Sequence, residues 1–185
     1  MILASSSRRR YILLSFLKQF FRVRIPQIDE SIIPKEESND HAIRLWIEKA
    51  QNVLKFAEDN ELVIAADTIV TSRKKILRKP KNKRQFIDNM LSLSNCDHEV
   101  MTGLTVMSEK KCTTQVVNKR VTFKKLTLNE LNEYWKTGEP PVMAGGYSIQ
   151  GLGSRFVKSI LGSYSNIVGL PLVGLEKILG GFFDN

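Results

Sequence analysis

Asp67 and Thr68 follow an uninterrupted apolar run, Leu62-Val63-Ile64-Ala65-Ala66, and two more apolar residues, Ile69 and Val70, come after them. Such a run, entered from the polar Glu58-Asp59-Asn60-Glu61, predicts a strand covered on both faces. Ligands of open α/β sheets gather at the carboxyl ends of buried strands. Asp67 therefore has two readings: an acid satisfied by nearby backbone N–H groups, or a base placed for chemistry. The chain's start offers a second chemical stretch. Ile2-Leu3-Ala4 predicts a short strand, and Ser5-Ser6-Ser7 a turn and helix cap. From Arg8 to Phe21, the residues Ile12, Leu13, Phe16, Leu17 and Phe20 recur at helical spacing. Arg8, Arg9 and Arg10 then crowd the first helical turn, where the helix dipole favours negative charge. An anion held at this strand-to-helix junction would offset that cost; a solvated basic patch is the alternative.

The remaining elements must position these groups. Val23 to Ile28 alternates weakly, as a second strand would, and Asp29-Glu30 lead into a polar loop containing Pro34. Asp40 is placed to cap a helix running to about Glu58, with Ile43, Trp46, Ile47, Ala50, Val53, Leu54 and Ala57 facing inward. Lys49 falls beside that stripe and, taken alone, reads as a solvent lysine. Arg73 to Arg84 holds eight Lys or Arg residues and no acid. Such a run is a nucleic-acid patch, a phosphate-gripping loop or a solvated hairpin, and charge runs are usually solvated. Asn82 caps a predicted helix carrying Phe86, Ile87, Met90 and Leu91. Val100 to Met107 and Thr113 to Phe123 have strand character, joined by a turn at Ser108-Glu109-Lys110-Lys111. Thr127-Leu128-Asn129-Glu130 is a capping box, opening a helix that should end near Gly138. Met143 to Gly169 is loop-rich, and a last helix begins near Pro171 and runs to Gly180.

Composition narrows the classes. At 185 residues, 42% hydrophobic and 25% charged, the chain suits one soluble globular domain, or two lobes sharing a core. A net charge of +9 favours an anionic partner. Cys96 and Cys112 are far apart and only His41 and His98 accompany them, which gives little support to a zinc site or a disulfide framework. A reducing cytoplasm is the expected setting. The first residues read as mature structure rather than a signal peptide, and no segment has the ~20 apolar residues of a membrane helix. Ten of the eleven glycines lie between Gly138 and Gly181, so an N-terminal glycine-rich phosphate loop is excluded.

Several stretches together resemble one known family. Ile2-Leu3-Ala4-Ser5-Ser6-Ser7-Arg8-Arg9-Arg10 is similar to the opening LASxSPRR of the Maf, or septum-formation-inhibitor-like, nucleotide pyrophosphatases. Ala66-Asp67-Thr68-Ile69-Val70 matches their ADTxV core, and Leu77-Arg78-Lys79-Pro80 their (E/G)KP loop. Tyr147-Ser148-Ile149-Gln150-Gly151, Gly162-Ser163-Tyr164 and Val168-Gly169-Leu170-Pro171-Leu172 match their closing signature. The resemblance spans essentially the whole chain and implies a single domain over residues 1–185. Its expected fold is α/β and Maf/Ham1-like: an elongated, twisted mixed sheet flanked by helices, in two lobes with a central cleft.

The implied activity is metal-dependent hydrolysis of a nucleoside triphosphate to the monophosphate and pyrophosphate. The pairing of ADT with IQG resembles the branch acting on dTTP and UTP rather than the 7-methyl-GTP branch. By resemblance, Asp67 is the proton acceptor, and Arg9, Thr68 and Gln150 govern substrate choice. Ser5, Glu30, Lys49 and Lys79 match further polar positions of the cleft. The residue chemistry agrees: Arg9, Lys49 and Lys79 supply cations for a triphosphate, and Asp67 and Glu30 suit a hard cation such as Mg²⁺, Mn²⁺ or Co²⁺ that also keeps water and phosphate ligands. A homodimer is the usual assembly for such a family. Two positions depart from its pattern: Arg8 replaces a proline, and Arg78 stands where an acid is common, so metal would rest more on Glu30 or Arg78 would add phosphate affinity. Two other classes remain as alternatives. One is a basic nucleic-acid-binding module built on Arg73 to Arg84, although no aromatic interrupts that run. The other is an interaction factor in cell division, which the older family name suggests.

Overall fold

The apolar run before Asp67 is in a strand from Val63 on, and its five residues Leu62 to Ala66 are all buried. The computed structural model describes residues 1–31, 33, 38–73 and 75–183, with the backbone alone for 38, 39, 41 and 42. Pro34 of the expected polar loop and Lys74 of the basic run lie outside the described residues. Among those described, seven strands form one mixed sheet in the order β2 (Arg22–Val23), β1 (Ile2–Ala4), β3 (Val63–Ser72), β5 (Asp97–Met107), β6 (Cys112–Phe123) and β7 (Val157–Leu161), with β4 (Lys75–Leu77) paired to β3 off that path, and six α-helices accompany it. The mixed α/β class is therefore as expected. By internal packing the chain forms two compact units, Met1–Asp67 with Thr102–Val117 and Gly169–Asn185, and Thr68–Met101 with Asn118–Val168.

In the first unit, β1 (Ile2–Ala4) lies parallel both to β2 (Arg22–Val23) and to β3 (Val63–Ser72). The second strand expected over Val23 to Ile28 is instead Arg22–Val23, so only Val23 of that stretch is in the sheet, a correction. Pro26 has no N–H to give, and the backbone of Gln27 turns to a side chain instead: its N–H donates to Asn52 Oδ1 at 3.0 Å and its carbonyl accepts from Asn52 Nδ2 at 2.9 Å. Helix α1 (Arg8–Ser15) is also shorter than its apolar spacing suggested. Its last turn tightens, with Phe16, Leu17 and Lys18 N–H groups donating three residues back, and Lys18 then turns left-handed at φ 53°. Only Leu13 and Leu14 of this helix are buried; Ile12, Phe16 and Phe20 are exposed, which corrects the predicted stripe.

Helix α2 (Ser38–Leu54) begins before Asp40, whose charge then falls in the first turn where the dipole favours it, and it ends short of Glu58. Its Trp46, Ala50 and Val53 repeat at helical spacing and are buried; Ala50 and Val53 join Ile2, Ala4, Val63, Ala65 and Met107 in one cluster. Trp46 packs against Gly103, where an added Cβ would come within 1.8 Å of the ring. That close approach explains why the one glycine before Gly138 stands there. Helix α6 (Leu172–Phe183) closes the unit directly after Pro171.

In the second unit, β4 (Lys75–Leu77) folds back antiparallel on β3 through Arg73, at φ 49°. The described part of the basic run is thus a hairpin and the lead into α3 (Lys83–Leu93), with Arg73, Lys75, Arg78, Lys79, Lys81, Lys83 and Arg84 all exposed. Asn82 caps α3 as expected, its Oδ1 accepting from Gln85 N–H at 2.9 Å. Strands β5 (Asp97–Met107) and β6 (Cys112–Phe123) are the predicted pair, and their turn, where Ser108 N–H donates to Lys111 O at 2.8 Å, belongs to the first unit. The capping box of Thr127 and Glu130 opens α4 (Leu128–Lys136). The late region is mostly short turns, with β7 (Val157–Leu161) antiparallel to β6 and a brief α5 (Tyr164–Val168).

Candidate active site

Register brings the two chemical stretches together. Ala4 pairs with Ala65, so β1 ends while β3 continues through Ala66 and Asp67. Asp67 is an interior residue of β3 rather than its end, a correction to the expectation. The β-branched Thr68, Ile69, Val70 and Thr71 carry the strand on, and a carboxylate on the side chain leaves the backbone ladder intact. Alternation puts Val63, Ala65 and Asp67 on one face, and Val63 and Ala65 pack in the cluster that holds Ala50 and Val53 of α2.

Lys49 belongs to that same helix stripe, three residues after Trp46 and four before Val53, so it is not the solvent lysine its position first suggested. It is 8% exposed, and its Nζ donates to Asp67 Oδ2 and reaches Glu30 Oε1 at 2.8 Å. Burial alone would pull its pKa down; Asp67 first and then Glu30 overcome that, and the net direction is upward. Lys49 is therefore an ammonium ion held inside the protein by two carboxylates.

The other oxygen of Asp67 belongs to α1. Arg10 Nη2 donates to Asp67 Oδ1 at 3.1 Å, Nη1 to Ser5 Oγ at 3.2 Å and Nε to the carbonyl of Gly169 at 2.8 Å. Ser5 is buried, and its Oγ also accepts from Ser7 N–H at 3.1 Å. Ser7 in turn caps α1, accepting from Arg10 N–H at 3.4 Å. The serine run is thus a cap that orients Arg10 over the carboxylate. Sequence reasoning singled out Arg9 and missed Arg10; the available signal was its place three residues after the cap, where the capped N–H fixes the first turn.

Ser5, Arg10, Glu30, Lys49 and Asp67 form one linked cluster in the first unit. Arg9, half-buried, precedes Arg10 on α1. Thr68, Lys79 and Gln150 belong to the second unit: Thr68 follows Asp67 on β3 and is half-buried, whereas Lys79 and Gln150 are exposed. No group of three or more His, Cys, Asp or Glu placed to hold a metal occurs among the described residues. Glu30 and Asp67 are two carboxylates sharing one ammonium, a donor set that suits a hard cation drawing its other ligands from water and phosphate.

Cations, a hydroxyl and carboxylates converging beside a strand-to-helix junction are groups of the kind that phosphate-handling α/β proteins use. Residues 1–182 match the Maf-like protein family, and the chain belongs to it. Proteins named dTTP/UTP pyrophosphatase are close in sequence. That of Vibrio vulnificus is 41% identical over 182 residues, 98% of each chain. That of Colwellia psychrerythraea is 42% identical over 183 residues, 97% of this chain and 86% of the relative. That of Clostridium botulinum is 41% identical over 183 residues, 96% of this chain and 94% of the relative. Among solved structures, the Staphylococcus aureus Ham1 protein aligns with 66% of this chain and 69% of its own at 16% identity and a TM-score of 0.41, a distance at which nothing about the site carries over.

Proposed function

We propose that this protein is a nucleoside triphosphate pyrophosphatase that cleaves dTTP and UTP to the monophosphate and pyrophosphate. The observation that carries the reading is the Asp67 carboxylate held between Arg10 and Lys49 at the strand-to-helix junction. Relatives that align end to end with this chain bear the corresponding name, which supports the base preference.

In this reading Asp67 accepts the proton of the water that attacks the α-phosphorus. Arg10 and Ser5 fix the position of that carboxylate, while Lys49 and Arg9 present positive charge to the phosphates. Lys79 grips the phosphate chain, and Thr68 and Gln150 select the base. A divalent cation, Mg²⁺, Mn²⁺ or Co²⁺, would be held by Asp67 and Glu30 and would supply charge neutralisation to the phosphate oxygens. Phosphoryl transfer leaves the protein little else to do than position and neutralise. The exposed cations around β4 suit a solvated hairpin better than a nucleic-acid surface, since the run lacks a stacking platform.

The setting is cytoplasmic and the assembly a homodimer in this reading; among the described residues no helix is long and apolar enough to cross a membrane. Light scattering on the purified protein reads the assembly directly. The decisive assay measures pyrophosphate release from a panel of nucleoside triphosphates with each metal in turn. Release that is fastest for dTTP and UTP, stops with chelator and is lost in Asp67→Asn is the expected result. An Asp67→Asn enzyme as active as the parent would remove Asp67 from the mechanism.

A further inference from the structure

Gln150 is exposed, yet the backbone on either side of it is tied down by one element. On the near side, Ser148 N–H donates to the hydroxyl of Tyr134 at 3.1 Å, a buried bond. On the far side, Leu152 N–H donates to Glu139 Oε2 at 3.0 Å. Tyr134 lies in the last turn of α4 and is 1% exposed, so its ring cannot drift. Glu139 follows just beyond that helix, after Gly138 at φ 74°, and its N–H donates to Thr137 Oγ1 at 3.3 Å. Both anchors are thus fixed to the carboxyl end of α4. Neither lies in a stretch that the sequence reading marked for chemistry.

The fit around Glu139 is close. A Cβ added at Gly151 would come within 1.8 Å of Glu139 Oε1. The glycine that follows Gln150 is therefore the residue that lets the Glu139 carboxylate reach across to Leu152 N–H. A third tie begins one residue before Ser148: Tyr147 Oη shares a 2.7 Å hydrogen bond with His98 Nε2 inside the second unit. A short, exposed polar side chain can discriminate between ligands only if the backbone beneath it holds still.

The geometry points to Tyr134 and Glu139 as positioning residues that clamp the turn bearing Gln150 and so set the enzyme's choice of base. This rests on the reading of Gln150 as a base-selecting residue in a triphosphate pyrophosphatase. Neither side chain needs to touch the nucleotide. Their effect would appear as ground-state recognition of the base, read in KM and in the preference for one nucleotide over another.

The test uses the full chain and steady-state pyrophosphate release from UTP, dTTP and the purine triphosphates. Glu139→Ala is expected to raise KM for UTP and dTTP about fivefold and to narrow the preference over purines, with kcat within about twofold of the parent. Glu139→Gln keeps an oxygen that accepts from Leu152 N–H and should restore parental KM. Tyr134→Phe keeps the buried ring, removes only the hydroxyl and should shift KM in the same direction as Glu139→Ala. Gln150→Ala supplies the comparison. If it changes base preference while Glu139→Ala and Tyr134→Phe leave KM and preference alone, the clamp is overturned. Glu139→Gln as impaired as Glu139→Ala would overturn it too, because charge rather than the accepted hydrogen bond would then matter. A parent without triphosphate pyrophosphatase activity, or an active parent whose base preference ignores Gln150→Ala, would overturn the underlying reading and this inference with it.

Discussion

Lys49 carries a charge into a place that solvent scarcely reaches, and two carboxylates of unequal exposure make that tolerable. The Asp67 side chain is 30% exposed and that of Glu30 is 58% exposed. Removing one partner of a buried ion pair typically destabilises by about 3–5 kcal/mol, but that range applies to partners that water cannot reach. Lys49→Met should therefore lower stability by less, roughly 1–3 kcal/mol after discounting for solvent screening, as read by urea denaturation. Its effect on pyrophosphate release should be far larger, because the same ammonium faces the phosphates in the proposed mechanism. Asp67→Asn leaves Lys49 its bond to Glu30, and Arg10 its bonds to Ser5 and Gly169, so the expected enzyme is folded and inactive. Circular dichroism matching the parent beside absent turnover is the outcome that checks this. At this scale the sequence was only partly legible. Asp67 stood out because an acid after an apolar run is costly to bury, whereas Lys49 did not, because a lysine among polar neighbours on a helix resembles its solvated counterparts until the facing strand is known.

Caps and turns were more legible than helix ends, for a physical reason. Asn82 and the Thr127–Glu130 box act through hydrogen bonds to residues three positions away, so the local sequence contains the whole interaction. Asn82→Ala should cost α3 about 1 kcal/mol of stability, measured as a shift in denaturation midpoint with unchanged slope. Helix α1 shows the opposite case. Its apolar residues continue past Ser15, yet the chain must return so that Arg22 N–H can donate to Met1 O and β2 can pair with β1. That tertiary demand cannot be read from spacing within the helix. Gly103 makes the same point within a strand. Nothing nearby in sequence calls for glycine on β5, but the Trp46 ring occupies the space a side chain would need. Gly103→Ala should destabilise by about 1–3 kcal/mol, the usual range for overpacking, with Trp46 fluorescence reporting the displaced ring.

For the molecule as a whole, acid is the condition to which the fold is most exposed. His98 is 2% exposed, and burial as the main cause lowers its pKa from 6.5 to about 4, against the opposing charge of Asp97. Its ring stands edge-on to Phe123 and Tyr147, and Nδ1 has no hydrogen-bond partner among the described residues, so the neutral form is the one this core accommodates. Between those pH values the unfolded chain binds the proton and the folded chain does not, so stability must rise with pH there. The contribution of neutral His98 is complete above pH 6.5 and is lost as pH falls through about 4, a change of roughly 3 kcal/mol. Further down, Glu61 beside Arg22 and Glu130 beside Lys124 are each held at about 2 rather than 4.5, so their contributions are present above 4.5 and fade as pH approaches 2. Thermal melts should thus show two successive losses on the acid side, and His98→Gln, which cannot titrate, should flatten only the first. A parent whose melting temperature stays level from pH 6.5 to 4 would show that protonated His98 is accommodated after all. Because His98 also holds Tyr147, the same acid step should loosen the turn that carries Gln150. Base discrimination should therefore weaken as pH falls across this range, a change that kinetics with matched pyrimidine and purine triphosphates can resolve.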